Sequence, residues 1–209
     1  DARMVGFEPG RGIFCCALLN SQPMGFYAPA QIVRDARQHG VEVRPIDINS
    51  SYWDNAMEPD GRGGLAVRLG FRQIKGMRED EAAWICSARG NGYRTPEDVW
   101  RRAGTPPHLI KRLSEADAFR SLGLARRDAL WAADAIKAEA PLPLFSNDMD
   151  GEGISEPAVT LPAMGEGEEV VEDYATIRLT LRSHPVALLR EELTPGWAAF
   201  KAKSQKRGF

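Results

Sequence analysis

The sequence predicts a mainly α-helical protein that contains a small β-hairpin. Three observations support this fold class: short helix-start signals recur through the middle of the chain, a strong turn signal lies at residues 59–63, and an acidic stretch with Pro and Gly begins near residue 140. With 209 residues, 43% of them hydrophobic, the chain is long enough for one large or two small globular units. Its apolar content excludes a chain that is disordered over its whole length.

The first sixty residues are expected to contain two helices and a short extended segment. Residues 13–20 have the apolar character of the end of a buried helix, and a turn-rich break follows them. Pro29 suits the first turn of a second helix, which runs to Gly40 and has one apolar face. Apolar residues alternate with others over residues 41–48, which predicts an extended segment. The segment is expected to be irregular, because Pro45 is unsuited to a central strand.

A β-hairpin is predicted around the Pro-Asp-Gly-Arg-Gly turn at residues 59–63. Its strands are residues 55–58 and 64–71. Alternation in the second strand predicts an inward face of Leu65, Val67 and Leu69.

Residues 74–138 are expected to form a series of short helices. Acidic residues in the first turn favour a helix over 78–89, because they complement the helix dipole. A capping box with proline at the first helical position begins another helix at Thr95, and the same start signal recurs at Thr105. Apolar spacing predicts a longer helix over 124–138.

The composition changes again after these helices. Residues 140–169 are acidic, rich in Gly and low in aromatic residues, which predicts an extended acidic linker. Order is expected to return near Val170.

Charge is unevenly distributed along the chain, although the formal net charge is only −2. Residues 62–131 carry 14 Lys and Arg against 8 Asp and Glu, whereas residues 132–175 carry 1 against 11. This asymmetry predicts a local surface for a polyanion, and solvated faces on Arg-rich helices are the alternative. The acidic stretch is expected to compete for the basic face, so a chain ending near residue 140 should bind a polyanion at least as well.

A motif with a possible binding role joins the hairpin to the helix at 78–89. A glycine between apolar residues just before a helix, as at Gly76, is typical of the turn in a helix-hairpin-helix unit. Glycine lets the backbone approach a phosphate, and the helix start offers unpaired N–H groups to the anion. A degenerate second copy is predicted at Gly104, and the alternative for both is a purely structural turn. The candidate DNA-binding residues are Arg72, Lys75, Gly76, Met77, Arg78, Gly104, Thr105, Lys111 and Arg112.

The sequence indicates neither a metal site nor a catalytic nucleophile. Cys15, Cys16 and Cys86 lack metal-ligand spacing, and the first two are expected to be buried apolar thiols. Asp47 stands alone among apolar residues and is expected to cap a turn. The acidic run 148–152 lacks the spacing of a calcium-binding loop.

Several further expectations follow from composition and local pattern. No apolar run approaches the ~20 residues of a membrane-spanning helix, and no signal-peptide pattern opens the chain, so a cytoplasmic location without a membrane partner is expected. Core packing is expected for four tryptophans, Trp53, Trp84, Trp100 and Trp131.

Four ungapped motifs resemble those of the bacterial C-family DNA polymerases, the family of the DNA polymerase III α subunit, and are most like its error-prone branch. They are CALLNSQPMGFYAPAQIVRDARQHGVEVRPIDIN, RLGFRQIKGM, EADAFRSLGLARRDALW and EEVVEDYATIRLTLRSHPVALLR. The resemblance covers about residues 13–193, and residues 1–12 depart from the family pattern.

The resemblance implies a division of the chain into four segments. Residues 1–60 correspond to the distal part of the fingers, with residues 1–12 atypical, and residues 61–139 to the hairpin with a tandem helix-hairpin-helix DNA-binding domain. Residues 140–169 form the acidic linker. Residues 170–209 lead towards an oligonucleotide/oligosaccharide-binding (OB) domain that lies outside this sequence.

The resemblance also implies that the catalytic chemistry belongs to another part of the parent enzyme. The parent enzyme is a DNA-directed DNA polymerase, a nucleotidyltransferase that uses Mg²⁺ held by palm carboxylates. Those carboxylates belong to a segment upstream of this chain, so no catalytic residue, metal ligand or cofactor is expected here.

The resemblance suggests a protein partner as well. In replicative members a Gln-Leu-x-Leu-Phe peptide after the DNA-binding helices inserts into a pocket on the sliding clamp. Here the peptide reads Pro-Leu-Pro-Leu-Phe, with Leu142, Leu144 and Phe145 as candidate clamp-binding residues and Pro141 at the glutamine position. Weak clamp binding and packing against the preceding helix remain open. The error-prone branch is thought to reach the clamp through a Y-family-like accessory protein.

The function expected from the sequence is therefore that of a non-catalytic fragment of an error-prone DNA polymerase. It should bind the backbone of duplex DNA without sequence specificity and hold the primer-template during translesion or repair synthesis. The alternative is a protein-interaction module acting through Pro-Leu-Pro-Leu-Phe and the acidic linker.

Overall fold

A computed structural model describes residues 9–25, 27–136 and 161–190. The mainly α-helical prediction is confirmed. The helices of these residues are α1 (Pro9–Asn20), α2 (Pro29–Gln38), α3 (Glu79–Ala88), α4 (Pro96–Ala103), α5 (Pro107–Glu115), α6 (Arg126–Ala135), α7 (Glu166–Ile177) and α8 (Pro185–Leu188). Short 3₁₀ turns occur at Phe71–Gln73 and Arg120–Leu122.

The predicted β-hairpin is present and belongs to a small three-stranded sheet. Strand β2 (Ala56–Pro59) pairs antiparallel with β3 (Leu65–Arg68). Strand β1 (Val43–Arg44), from the segment predicted to be irregular, pairs in parallel with β3 and makes it the central strand. Pro45 follows β1 directly, which accounts for its length of two residues.

The inward face of β3 differs from strict alternation. Val67 and Leu69 are buried as predicted, but Leu65 is only half-buried and Ala66 is fully buried. Two adjacent residues are buried because β3 lies between two strands and α1 also packs against it.

Helices α3 and α4 begin where local signals predict them, whereas α5 begins one residue later than the signal at Thr105 predicts, with Pro106 at its N-cap and no side-chain cap. Thr95 caps α4, since its side chain accepts a hydrogen bond from the Asp98 backbone N–H at 3.1 Å, and the Asp98 carboxylate accepts one from the Thr95 N–H at 3.2 Å. Helix α6 is shorter than the predicted 124–138. It begins at Arg126 and ends at Ala135, because Ala125 and Ile136 have extended backbone.

Helix α7 corrects the predicted extent of the acidic linker, which was expected to run to residue 169. The helix begins at Glu166, so the last four residues of that segment are helical. Glu166, Glu168 and Glu169 lie in its first turn, where negative charge is favourable to the helix dipole.

One hydrophobic core joins the described elements, from Cys15 in α1 to Leu179 after α7. The sheet crosses the boundary expected at residue 60, and α7 crosses the one expected at residue 169. The first sixty residues and the central helices therefore share a core.

Candidate nucleic-acid interface

The first hairpin turn, residues 74–77, has the backbone geometry that the motif predicts. Gly76 has a φ of +76°, a left-handed conformation in which glycine is unstrained. The Lys75 N–H donates to the Thr176 carbonyl at the end of α7 at 2.9 Å, while the Lys75 side chain is exposed. Met77 is buried, with only 7% of its surface exposed. The turn thus presents Lys75 and uses Met77 as an apolar anchor.

Arg112 supports this turn from the second hairpin. Its Nη1 donates to the Gly76 carbonyl at 2.5 Å. A Cβ at Gly76 would lie 3.0 Å from the same nitrogen, so the guanidinium packs directly beneath the glycine. Arg112, predicted to contact phosphate, therefore already holds a backbone carbonyl.

The start of α3 does not offer the unpaired N–H groups that the motif predicts. The Arg78 N–H donates to Glu81 Oε2 at 2.9 Å, and the Arg78 guanidinium pairs with Asp80. Glu79 adds a third carboxylate to the first turn. Negative side chains therefore occupy the positive end of this helix, and a phosphate would be repelled there.

The second hairpin has the opposite electrostatic character. Gly104 has a φ of +61°, Thr105 is buried, and α5 has no acidic residue in its first turn. His108 and Lys111 are exposed on that helix. Lys111 pairs with Asp134 at 3.1 Å, but both side chains are about half exposed, so the pair is weak.

Several arginines of the basic region have structural partners that the sequence does not reveal. Arg72 Nη1 pairs with Asp54 at 2.5 Å. Arg102 donates to the carbonyls of Ala88, Arg89 and Gly92 and thereby closes the end of α3. Of the predicted DNA-binding cations, Lys75 and Lys111 remain the most available.

An ion-pair network fixes α7 against α6 and was not predicted. Arg126 is 1% exposed and pairs with Glu169 and Asp173. Arg182, after α7, pairs with both carboxylates and with Asp117.

This arrangement changes the expectation for a chain ending near residue 140. The carboxylates of α7 pair with Arg126, Arg127 and Arg182, which are not candidate DNA-binding residues, so competition of the acidic stretch for the DNA-binding face stays a prediction. Because α7 also buries Val170 and Ile177, its removal would expose apolar core and leave Arg126 without its carboxylate partners.

Asp47 caps a turn, as expected from the sequence. Its Oδ1 accepts from the Asn49 N–H at 2.9 Å, and the residue is 6% exposed. Within residues 9–25, 27–136 and 161–190, no group of three or more His, Cys, Asp or Glu side chains could hold a metal ion. No helix in the same ranges is long and apolar enough to cross a membrane.

The thiols of Cys15 and Cys16 are buried, as expected. Burial, with smaller contributions from the charges of Cys16 and Asp35, raises the pKa of Cys15 to about 11. A raised pKa favours the thiol in the folded state, so this contribution to stability is lost as pH rises from about 9 to about 11.

Alkylation of Cys15 by iodoacetamide at pH 8 is therefore expected to be slow in the native chain. The thiolate fraction at a pKa of about 11 is on the order of one in a thousand, and the sulfur is shielded from the reagent. Peptide mass spectrometry over time measures the rate, with the half-buried Cys86 as an internal control. Labelling of Cys15 as fast as in denaturant would contradict this prediction.

Comparison with known proteins supports the prediction of a helix-hairpin-helix motif in the central helices. Residues 40–129 match the family described as helix-hairpin-helix motif. The chain is 65% identical over 184 residues to an error-prone DNA polymerase of Ruegeria pomeroyi, covering 88% of this chain. It is 55% identical over 189 residues to error-prone DNA polymerase 2 of Rhizobium meliloti and 52% identical over 195 residues to error-prone DNA polymerase 1 of Agrobacterium fabrum, each covering 87% of this chain.

The match is confined to a small part of each relative. The chain spans 17% of the length of the first two relatives and 18% of the third. These identities agree with the resemblance that the four sequence motifs indicate. The two hairpin turns agree with the helix-hairpin-helix match. The chain is a homologue of a segment of the error-prone DNA polymerases, and it contains a helix-hairpin-helix motif.

Proposed function

We propose that this chain binds the backbone of duplex DNA without sequence preference, as the part of a longer error-prone DNA polymerase that holds the primer-template. The main supporting observation is the second hairpin. Its left-handed Gly104 leads into α5, whose first turn has no carboxylate and whose exposed side chains include His108 and Lys111.

The physical basis is contact with phosphate through a helix start and mobile cations. A helix N-terminus carries partial positive charge, and a lysine adds a full charge that can follow the backbone. Such contacts position a protein on a duplex but do not distinguish one base pair from another. At the first hairpin, Lys75 is the exposed donor, because carboxylates already occupy the start of α3.

The charge reversal Lys111→Glu is expected to weaken duplex binding several-fold and to reduce its salt dependence. Each phosphate contact that is lost should lower the slope of log K against log[salt] by about 0.9. Fluorescence anisotropy of a labelled duplex, titrated at several salt concentrations, measures both quantities. Lys75→Glu should act in the same direction.

Arg62→Glu is the matched control. It makes the same change in net charge but lies in the exposed β2–β3 turn, outside both hairpins. If Arg62→Glu weakens binding as much as Lys111→Glu, overall charge is responsible and the hairpin proposal is wrong. A strong preference for one DNA sequence would also contradict it.

Nucleotidyl transfer is not assigned to residues of this chain. The Mg²⁺ chemistry implied by the family needs clustered carboxylates. The described residues do not fit that ion, since no group of three or more His, Cys, Asp or Glu side chains among them could hold a metal. The contribution proposed for them is binding and positioning.

The sliding-clamp contact stays a prediction. Leu142, Leu144 and Phe145 lie outside the described residues, as does most of the acidic segment in the alternative function. Binding to an accessory protein is likewise untested.

A further inference from the structure

A cavity of about 500 Å³ lies between α2 on one side and α7 with the segment that follows it on the other. Its lining includes Arg34 and Arg37 from α2, and Tyr174, Thr180, Arg182 and His184 from the other side. No Asp or Glu within the described part of the chain lines it. Two of these guanidinium groups, those of Arg34 and Arg37, have no carboxylate partner among the described residues, and a cleft of this kind favours an anion.

The hydrogen bonds show which donors are available. Arg34 is exposed, and its side chain has no hydrogen bond or ion pair within the described residues. Arg37 uses Nη1 to donate to the Leu181 carbonyl at 2.8 Å, which fixes the guanidinium at the cavity wall and leaves its other N–H groups available. Guanidinium groups suit phosphate because their donors match two of its oxygens at once.

Side chains on the opposite wall are also held in place by hydrogen bonds. His184 Nδ1 accepts from the Val186 N–H at 3.2 Å, so its other nitrogen can donate to a ligand. Arg182 is held by Asp117 and Glu169 at 2.9 Å each, so its charge is balanced and it serves mainly as a fixed wall. Tyr174 is half-buried and adds an aromatic ring and a hydroxyl group.

We propose that this cavity binds the phosphate of a nucleotide unit, held chiefly by Arg34 and Arg37. Its volume is within the range of small-ligand sites and is large enough for one nucleotide. The nucleotide can be free or part of a single strand, because both present the same phosphate chemistry and a base that can stack on an aromatic ring. The site is separate from the hairpin turns of the proposed function.

Binding is tested on the full chain with three probes: inorganic pyrophosphate, deoxythymidine triphosphate and a fluorescently labelled oligothymidine of eight nucleotides. Calorimetry follows the first two probes, and anisotropy follows the third. The expected result is binding of the triphosphate, the oligonucleotide or both, weakened at least tenfold by Arg34→Ala. Competition between the triphosphate and the oligonucleotide identifies one shared site.

Two controls make the result decisive. Arg62→Ala removes another exposed arginine, far along the chain in the β2–β3 turn, and should leave binding unchanged. Duplex binding should also be unchanged in Arg34→Ala, which separates this site from the hairpins. The proposal is overturned if no probe binds, if pyrophosphate alone binds, or if Arg34→Ala and Arg62→Ala have equal effects.

Discussion

Replacement of Arg126 by alanine is expected to lower the free energy of unfolding by about 3–5 kcal/mol. Removing one partner of a buried ion pair has this cost where the other charge is left without compensation. Arg182 still pairs with Glu169 at 2.9 Å and with Asp173 at 3.6 Å, so the loss is expected at the lower end of this range. Arg126 is 1% exposed and pairs with Asp173 and Glu169, which are themselves largely buried. Both carboxylates would lose their closest positive charge.

The loss should be larger than for an ordinary surface arginine, since Arg126 also joins two helices. Its Nη1 donates to the Glu169 carbonyl at 2.9 Å, which adds a backbone contact to the ion pair with the same residue. Only Nε of its guanidinium is a buried atom without a partner among the described residues. Chemical denaturation followed by circular dichroism measures the change.

Asp117→Asn is the matched control within the same network. Burial raises the pKa of Asp117 despite the nearby arginines, so the stability contributed by its protonated form is lost as pH rises from 3.8 through the raised value. At neutral pH its ionised carboxylate is therefore unfavourable, and asparagine also tolerates its left-handed φ of 57°. The expected change is below about 1 kcal/mol. Equal losses in both variants would contradict this account of the network.

Gly70→Ala is expected to be the most disruptive single-methyl addition among the described glycines. An added Cβ would lie 2.3 Å from the Trp53 carbonyl oxygen and 2.4 Å from the Asp54 carbonyl carbon. Both atoms belong to the backbone, so relief requires the chain itself to move. Overpacking costs typically ~1–3 kcal/mol and occasionally more. The value here should be at or above the upper end, because the Gly70 N–H also donates to the buried Asn55 side chain at 3.0 Å.

Gly167→Ala is the matched control, because it adds the same methyl group but is expected to stabilise the fold. Gly167 lies within α7, and an added Cβ there would meet nothing within 4 Å. Alanine is favoured over glycine in a helix by roughly 0.5–1 kcal/mol. Thermal melts of both variants should therefore shift in opposite directions. A melting temperature for Gly70→Ala equal to that of the unmodified chain would refute the steric argument.

Local signals in the sequence predicted local structure well. The capping box at Thr95 involves residues three apart, so it can be recognised without knowledge of the fold. The same holds for the turn at residues 59–63 and for the left-handed Gly76. Each depends on chemistry confined to a few neighbouring residues.

Contacts between distant segments could not be predicted in this way. Arg126 and Asp173 are 47 residues apart, and the segment between them has the composition of a linker. A charged residue in a helix start is usually exposed, and no periodicity identifies the one that α7 covers. The same limit explains why Arg72, Arg102 and Arg112 could not be recognised as structural residues.

Two tryptophans illustrate a related limit. Trp84 and Trp131 were expected in the core but are 68% and 60% exposed. Helical spacing assigns a residue to a face, but whether another element covers that face depends on the tertiary arrangement. Trp53 and Trp100, by contrast, are partly buried against the core.

The hydrogen bond from Arg112 to Gly76 makes the two hairpin turns mechanically dependent on each other. Arg112 belongs to the helix that the second turn begins, and its guanidinium holds the carbonyl of the first. A displacement of either turn must therefore stretch that bond or carry the other turn with it. The Arg112 side chain thus bridges α5 and the first turn and adds a polar contact to the apolar core that they share.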